Sequence, residues 1–335
     1  MAATIMDIAR RLNISHTTVS RVLNNKSGVP IAEKTRQRVL NTAREMGYAP
    51  NLAARSLRHA STHVIAVFGS SYVGMWGGIT PELMRGIVSA LQPRHYGIFY
   101  AMSDFGEQNA PSNSSWRFDG AIVLQSPPAS TLRRLAKSGQ PFVCVNEHIE
   151  GRSAVLCDEA AGVRTALDHL WKLGHRRIAY ANATHRHLQH YSVVERHDSY
   201  CATMREHGVT PPAGHDVIPN EDNLTDRVRT MILDQDATAI LAYDHVVALR
   251  VMAAAHQLGL RIPQDFSLIC FNDEFPVAEV VPTLTVVAPQ GERMGQRGGE
   301  LLLDLLESPE PSSPSTIRLP EQLVVRESTA PPKRS

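Results

Sequence analysis

The sequence predicts two fold classes in one chain: a small all-helical head, then an α/β body built on parallel sheets. Three observations carry this. The 335 residues exceed what one small core needs. The first sixty hold ten Lys/Arg against three Asp/Glu, a net +7, while the remainder holds 24 against 30, a net −6. Apolar residues recur at helical spacing in the head, whereas the body alternates short apolar runs with helical segments. A basic head on an acidic body points to a polyanionic partner; the competing reading is a solvated basic face.

In the head, Ile5, Ile8, Ala9 and Leu12 predict a helix over 6–12, with Asp7 near its N-terminus where the helix dipole favours it. Asn13-Ile14 breaks it. Ser15 is a good N-cap for a second helix, from His16 to about Leu23, whose narrow apolar stripe is Val19, Val22 and Leu23. Helix, short turn, helix is the helix-turn-helix pattern, whose second helix can enter a DNA major groove. His16, Thr17 and Arg21 lie off the stripe and can reach base edges. Ser15, Thr18 and Ser20 are short enough to bond phosphates without holding the helix away. A third helix is expected from about Ala32 to Met46, ended by Gly47. Asn51 then caps a segment too short to be helical alone in water, carrying Arg55, Leu57 and Arg58.

"TIMDIARRLNISHTTVSRVLN" followed by "TRQRVLNTAREMGYAPNLAARSL" resembles the headpiece of the lactose/galactose-repressor (LacI/GalR) family of bacterial transcription regulators. The resemblance implies that two heads bind one pseudo-palindromic double-stranded DNA operator. It also implies that the segment after Asn51 pairs with its dimer mate in the minor groove, where Leu57 wedges open a base step. The loop from Asn25 to Ile31 is slightly longer than the family's.

Along the body, patterning predicts strands at 63–68, 97–100, 120–124, 141–145, 178–180, 239–242 and 267–271. Helices are expected at 81–91, 160–173, 198–207 and 246–258. Repeated β-α units imply parallel sheets covered on both faces, with ligands binding beyond the carboxyl ends of the strands. The runs "LGHRRIAY", "RHDSY", "GLRIPQDFSLICFND" and "PTLTVV" resemble the same family's effector domain, a two-lobed periplasmic-binding-protein-like fold; the poorest match is 103–115. The implied division is a headpiece over 1–49, a hinge and linker over 50–61, and an effector and dimerisation domain over 62–335. In that last domain the chain crosses between lobes near 157–161, 287–291 and 318–321.

The resemblance also nominates cleft residues. Arg196 matches the family's effector-contacting Arg, whose fork suits vicinal hydroxyls or a carboxylate; the competing role is an ion pair with Glu195 or Asp198. Asn146 and Asn272 stand where the family often has Asp at a strand end. Tyr243-Asp244 replaces a frequent Asn-Asp. Ser126 follows a strand, and Trp76 could stack on a sugar face or serve as a core or lid aromatic.

Other chemistry finds no support. The four cysteines, Cys144, Cys157, Cys201 and Cys270, are scattered and read as reduced core residues. "HRHLQHY" lacks carboxylate or thiolate partners at ligand spacing, so no metal or other cofactor is expected. G-x-S-x-G, GxxxxGK[ST] and H-E-x-x-H are absent, and no enzyme is read. No signal peptide or membrane-length apolar run occurs, which places the expected protein in the cytoplasm with no membrane partner. The tail from Ser308 is Pro- and Ser-rich, with a strand-like run at 322–325 and no Leu heptads, so dimerisation falls to the body. The resulting expectation is a homodimeric DNA-binding repressor controlled by a small polar effector, a sugar or sugar derivative. The alternative is a sugar-binding or sugar-processing protein with an incidental basic head.

Overall fold

The computed structural model describes residues 3–23, 31–48, 61–69, 79–102, 118–124, 129–182, 190–211, 223–308 and 313–333. The chain divides into two compact units, Met1–Thr62 and His63–Ser335.

The first unit holds α1 (Ile5–Leu12), α2 (His16–Leu23) and α3 (Glu33–Glu45). Thr4 caps α1 in a reciprocal box: Asp7 N–H donates to Thr4 Oγ1 at 3.3 Å, and Thr4 N–H donates to the Asp7 carboxylate at 3.0 Å. Helix α1 ends on Asn13 in the left-handed region (φ 50°), where asparagine is tolerated. Ser15 Oγ accepts the Thr18 N–H at 3.1 Å, so Ser15 caps α2 as its sequence predicts. Ile8, Ala9, Val19, Val22, Val39 and Ala43 form the core. The stripe on α2 is thereby spent inward.

The second unit contains two sheets. The first comprises β1 (Val64–Gly69), β2 (Gly97–Met102), β3 (Gly120–Leu124), β4 (Phe142–Val145), β5 (Ala154–Cys157) and β10 (Thr316–Leu319), in the order β10-β5-β4-β3-β1-β2, all parallel. Both faces are buried: Ile65, Val67, Ile122 and Val143 point into one apolar cluster, while Ala66, Phe68, Ala121 and Cys144 point into another. This is why its strands read as continuous apolar runs. The covering helices are α4 (Thr80–Leu91), α5 (Ala129–Ser138) and α10 (Gly291–Glu307).

The second sheet comprises β6 (Ile178–Ala181), β7 (Ala239–Ala242), β8 (Ser267–Phe271), β9 (Thr285–Ala288) and β11 (Gln322–Val324), in the order β11-β9-β8-β7-β6. Only β11 among them runs antiparallel to its neighbour. Its helices are α6 (Glu159–Leu173), α7 (Tyr191–Glu206), α8 (Leu224–Arg229) and α9 (His245–Gln257). We call the two layered halves lobe 1 and lobe 2. The chain passes from lobe 1 to lobe 2 between β5 and α6, returns between β9 and α10, and passes again between β10 and β11.

The structure corrects the patterning in two ways. Helix α7 begins at Tyr191, not at 198, because His190 supplies its cap. Elements α5, β5, α8, β9, α10 and β10 are added. The largest addition, α10, is rich in glycine, which lowers helix propensity. Its glycines serve contact with α4. A Cβ on Gly295 would sit 1.9 Å from the Leu83 carbonyl oxygen, and one on Gly86 would sit 1.9 Å from that of Glu292. The two helices approach so closely that only hydrogen fits there.

Candidate functional site

The head presents α2 as a polar face. Ser15, His16, Thr17 and Arg21 are exposed, while Thr18 and Ser20 are half-buried beside the core-facing Val19 and Val22. The Ser15 hydroxyl lies 2.7 Å from Thr17 Oγ1 and 2.8 Å from Thr18 Oγ1, so three short hydroxyls cluster at the N-terminus of α2. A helix N-terminus with clustered donors suits a phosphate. Arg21, two turns further along, has the reach for a base edge. Asn51, Arg55, Leu57 and Arg58 lie outside the described residues.

In the body, the carboxyl ends of the strands position the expected cleft residues. Asn146 follows β4 and Asn272 follows β8, and both adopt left-handed backbone, with φ 56° and 72°. Each donates its N–H across the sheet at 2.9 Å, Asn146 to Val155 O and Asn272 to Val287 O. The two lobes thus use one strand-end device twice. Asn suits it sterically, and its amide keeps both donor and acceptor capacity. Trp76 and Ser126 lie outside the described residues.

Arg196 sits mid-helix in α7 and is buried. Its Nε donates to Glu159 at 2.5 Å, one terminal nitrogen donates to the Tyr243 carbonyl at 2.7 Å, and the other lies 3.9 Å from Glu321. The guanidinium also packs 3.9 Å from the centre of the Phe271 ring. Its ion pair is therefore with Glu159 rather than with Glu195 or Asp198. Glu195 instead makes a two-pronged pair with Arg318, and Asp198 faces His197. Glu159 opens α6 and Glu321 lies between β10 and β11, so Arg196 stitches two of the three interlobe crossings together. Burial, and then the neighbouring Glu159, push the Glu321 carboxyl well up; Arg196 opposes them. Asp244 caps α9, accepting the Val247 N–H at 2.7 Å. The Tyr243 hydroxyl meets Ser192 Oγ at 2.8 Å, and burial pushes its ionisation up to about 12.

Sequence reasoning missed several residues. His190 Nε2 donates to the Asn146 carbonyl at 2.8 Å, while its Nδ1 meets Ser192 Oγ at 2.7 Å. A polar relay thus runs from the β4 end of lobe 1 through His190 and Ser192 to Tyr243 in lobe 2. The Tyr191 hydroxyl accepts the Cys157 N–H at 3.1 Å. Beyond Asn272, the carboxyl of Glu274 lies 3.4 Å from His245, and burial raises its ionisation to about 7. These contacts join segments far apart in sequence. Their only local signal was polar residues beside strand ends. No group of His, Cys, Asp and Glu suited to a metal occurs among the described residues. No helix among them is long and apolar enough to cross a membrane.

A helix-turn-helix unit joined to a two-lobed α/β unit with a polar interlobe cleft defines a class of DNA-binding regulators. Residues 4–51 match the family "Bacterial regulatory proteins, lacI family", and residues 167–329 match "Periplasmic binding protein-like domain". The probable HTH-type transcriptional repressor ExuR of Bacillus subtilis (strain 168) is 27% identical over 96% of this chain and 97% of its own. The HTH-type transcriptional repressor PurR of Mannheimia succiniciproducens is 26% identical over 97% and 98%. Two solved structures share the fold. The lac repressor dimer bound to operator and the anti-inducer ONPF gives a TM-score of 0.79 at 22% identity, covering 98% of this chain and 100% of that one. The complex of the regulator CelR with cellobiose gives 0.68 at 24%, covering 97% and 99%. The chain thus carries a lacI-family DNA-binding unit joined to a periplasmic-binding-protein-like domain and is a DNA-binding transcriptional repressor; its relatives are transcriptional regulators.

Proposed function

We propose that this repressor is a cytoplasmic homodimer that binds a pseudo-palindromic operator and is controlled by a sugar or sugar derivative held between the lobes. The observation that carries the reading is the pairing of Asn146 and Asn272, two amides at equivalent strand ends of the two lobes. Their donors and acceptors suit hydroxyl groups, and the CelR–cellobiose complex is a sugar complex in the same fold. Trp76 and Ser126 complete the ligand contacts. Tyr243, Asp244 and Arg196 form the floor that fixes them. In the head, Ser15, Thr18 and Ser20 hold phosphates, and His16, Thr17 and Arg21 read base edges. Asn51, Arg55, Leu57 and Arg58 form the hinge that enters the minor groove. Dimerisation uses lobe 2, where Phe275 and Val281 are almost fully exposed, at 85% and 91%.

Effector control requires that the ligand prefer one lobe arrangement. The test is selection of bound duplexes from a random library, with and without fractionated pools of neutral and modified sugars. The reading expects a two-fold-related sequence whose occupancy changes with one sugar fraction. Recovery of unrelated duplexes in every round would overturn it, as would indifference to every sugar.

A further inference from the structure

Asn146 is the one expected cleft residue of lobe 1 that the structure describes, and it is held from lobe 2. Its N–H bonds Val155 O at 2.9 Å within its own sheet. Its carbonyl accepts from His190 Nε2 at 2.8 Å. The other ring nitrogen sets that direction: Nδ1 accepts the Ser192 N–H at 3.4 Å in capping α7, which leaves the proton on Nε2. The side-chain oxygen of Asn146 lies 3.4 Å from the Tyr191 hydroxyl. That hydroxyl already accepts the Cys157 N–H at 3.1 Å, and among the described residues Asn146 Oδ1 is the only acceptor its proton reaches. His190 caps α7 and Tyr191 begins it, so both move with lobe 2. The Tyr191 ring packs against the apolar cluster of Ala66, Phe68, Ala121 and Cys144 in lobe 1.

These contacts give the Asn146 amide one orientation. Turned the other way, its NH2 would face the hydroxyl, and the phenol proton would be left without an acceptor, a loss of about 1 kcal/mol. Burial, then Glu159 and Cys157, push the Tyr191 ionisation well up, so the hydroxyl keeps that proton. Both oxygens of Asn146 are then engaged, and only its NH2 group remains without a hydrogen bond among the described residues. An aspartate here would accept and never donate; this asparagine donates. Asn272, at the equivalent strand end of lobe 2, has no side-chain bond among the described residues and keeps both capacities.

We propose that His190 and Tyr191 are positioning residues for effector recognition: reaching from lobe 2, they fix Asn146 of lobe 1 as a donor only, so the effector places an oxygen acceptor against it. The inference rests on the effector reading above and names the chemistry of its lobe 1 contact. It also supplies the preference that control requires. When the lobes part, α7 withdraws from Asn146, the amide is free to turn, and the fixed donor is lost. An effector that needs the donor therefore favours the joined arrangement.

Two measurements on the full chain test this. The first needs no sugar. With asparagine labelled with 15N, and the Asn146 side-chain signal identified by its absence in Asn146→Asp, both NH2 protons should exchange with water as an unbonded amide does. Protection of one proton by about tenfold or more would mean that the NH2 faces Tyr191, and would overturn the proposal. The second uses the sugar fraction that changes operator occupancy. Tyr191→Phe should raise the concentration for half-maximal response about three- to tenfold, and Asn146→Asp should respond no better than Asn146→Ala. A Tyr191→Phe protein that loses stability in urea but keeps the parent's response would make Tyr191 merely structural. An Asn146→Asp protein that responds like the parent would show that the effector gives a proton there instead of taking one. Either result overturns the proposal. If no sugar fraction acts, it is the effector reading that fails, and the exchange measurement still decides how Asn146 is set.

Discussion

The head and the body deploy their polar residues in opposite ways. On α2, His16, Thr17 and Arg21 stand exposed while the apolar stripe is buried beneath them. In the body, Arg196, Tyr243 and Asp244 are each only 5% exposed, and their polar atoms are committed to one another and to the crossings. The contrast separates two kinds of recognition residue. An exposed group acts by touching a partner, and its loss should leave folding intact. A committed group acts by fixing geometry, and its loss should first be felt as stability.

Substitutions can break that contrast, beginning where the largest effect is expected. Arg196→Ala leaves Glu159 buried without its counter-charge, which should cost about 3–5 kcal/mol of stability in urea unfolding. A loss near zero would move Arg196 to the exposed class and return it to direct ligand contact. Next, Asn272→Ala and Asn146→Ala force a Cβ-bearing residue without a helpful polar side chain into left-handed backbone. Each should cost about 1–2 kcal/mol, and glycine at either site should cost less. Equal losses at the two sites would sharpen the equivalence of the lobes; a loss at one alone would break it. In the head, Thr4→Ala removes the cap of α1 and should cost about 1 kcal/mol, visible as a lower unfolding midpoint. Arg21→Ala should be within about 0.5 kcal/mol of the parent.

The same contrast governs what the sequence makes legible. The head is readable because its determinants are local: Ser15 caps the helix it begins, and Val19 and Val22 mark the inward face within one turn. Buried strands such as 120–124 and 267–271 are readable to the residue, since both faces of their sheets are covered. Helix α10 was hidden because its four glycines serve packing against α4 rather than local propensity. The true partner of Arg196 was hidden for a different reason. Glu159 lies 37 positions away, and only the fold of the crossing brings it closer than the adjacent Glu195. His190 was weighed as part of a histidine cluster, yet its role is to join Asn146 of one lobe to Ser192 of the other. Residues that act across lobes carry no spacing signal.

The central claim is that α2 reads DNA, and one measurement addresses it directly. Binding of the parent and Arg21→Ala is titrated against the selected operator and against operators altered at one symmetric base pair at a time, at fixed salt. The parent should lose about 1–3 kcal/mol per half-site at one particular position, and Arg21→Ala should be indifferent at that position while still discriminating at the others. If Arg21→Ala weakens binding to every duplex alike and keeps the parent's full pattern of base preference, Arg21 is a phosphate contact and the account of how α2 reads its site is wrong.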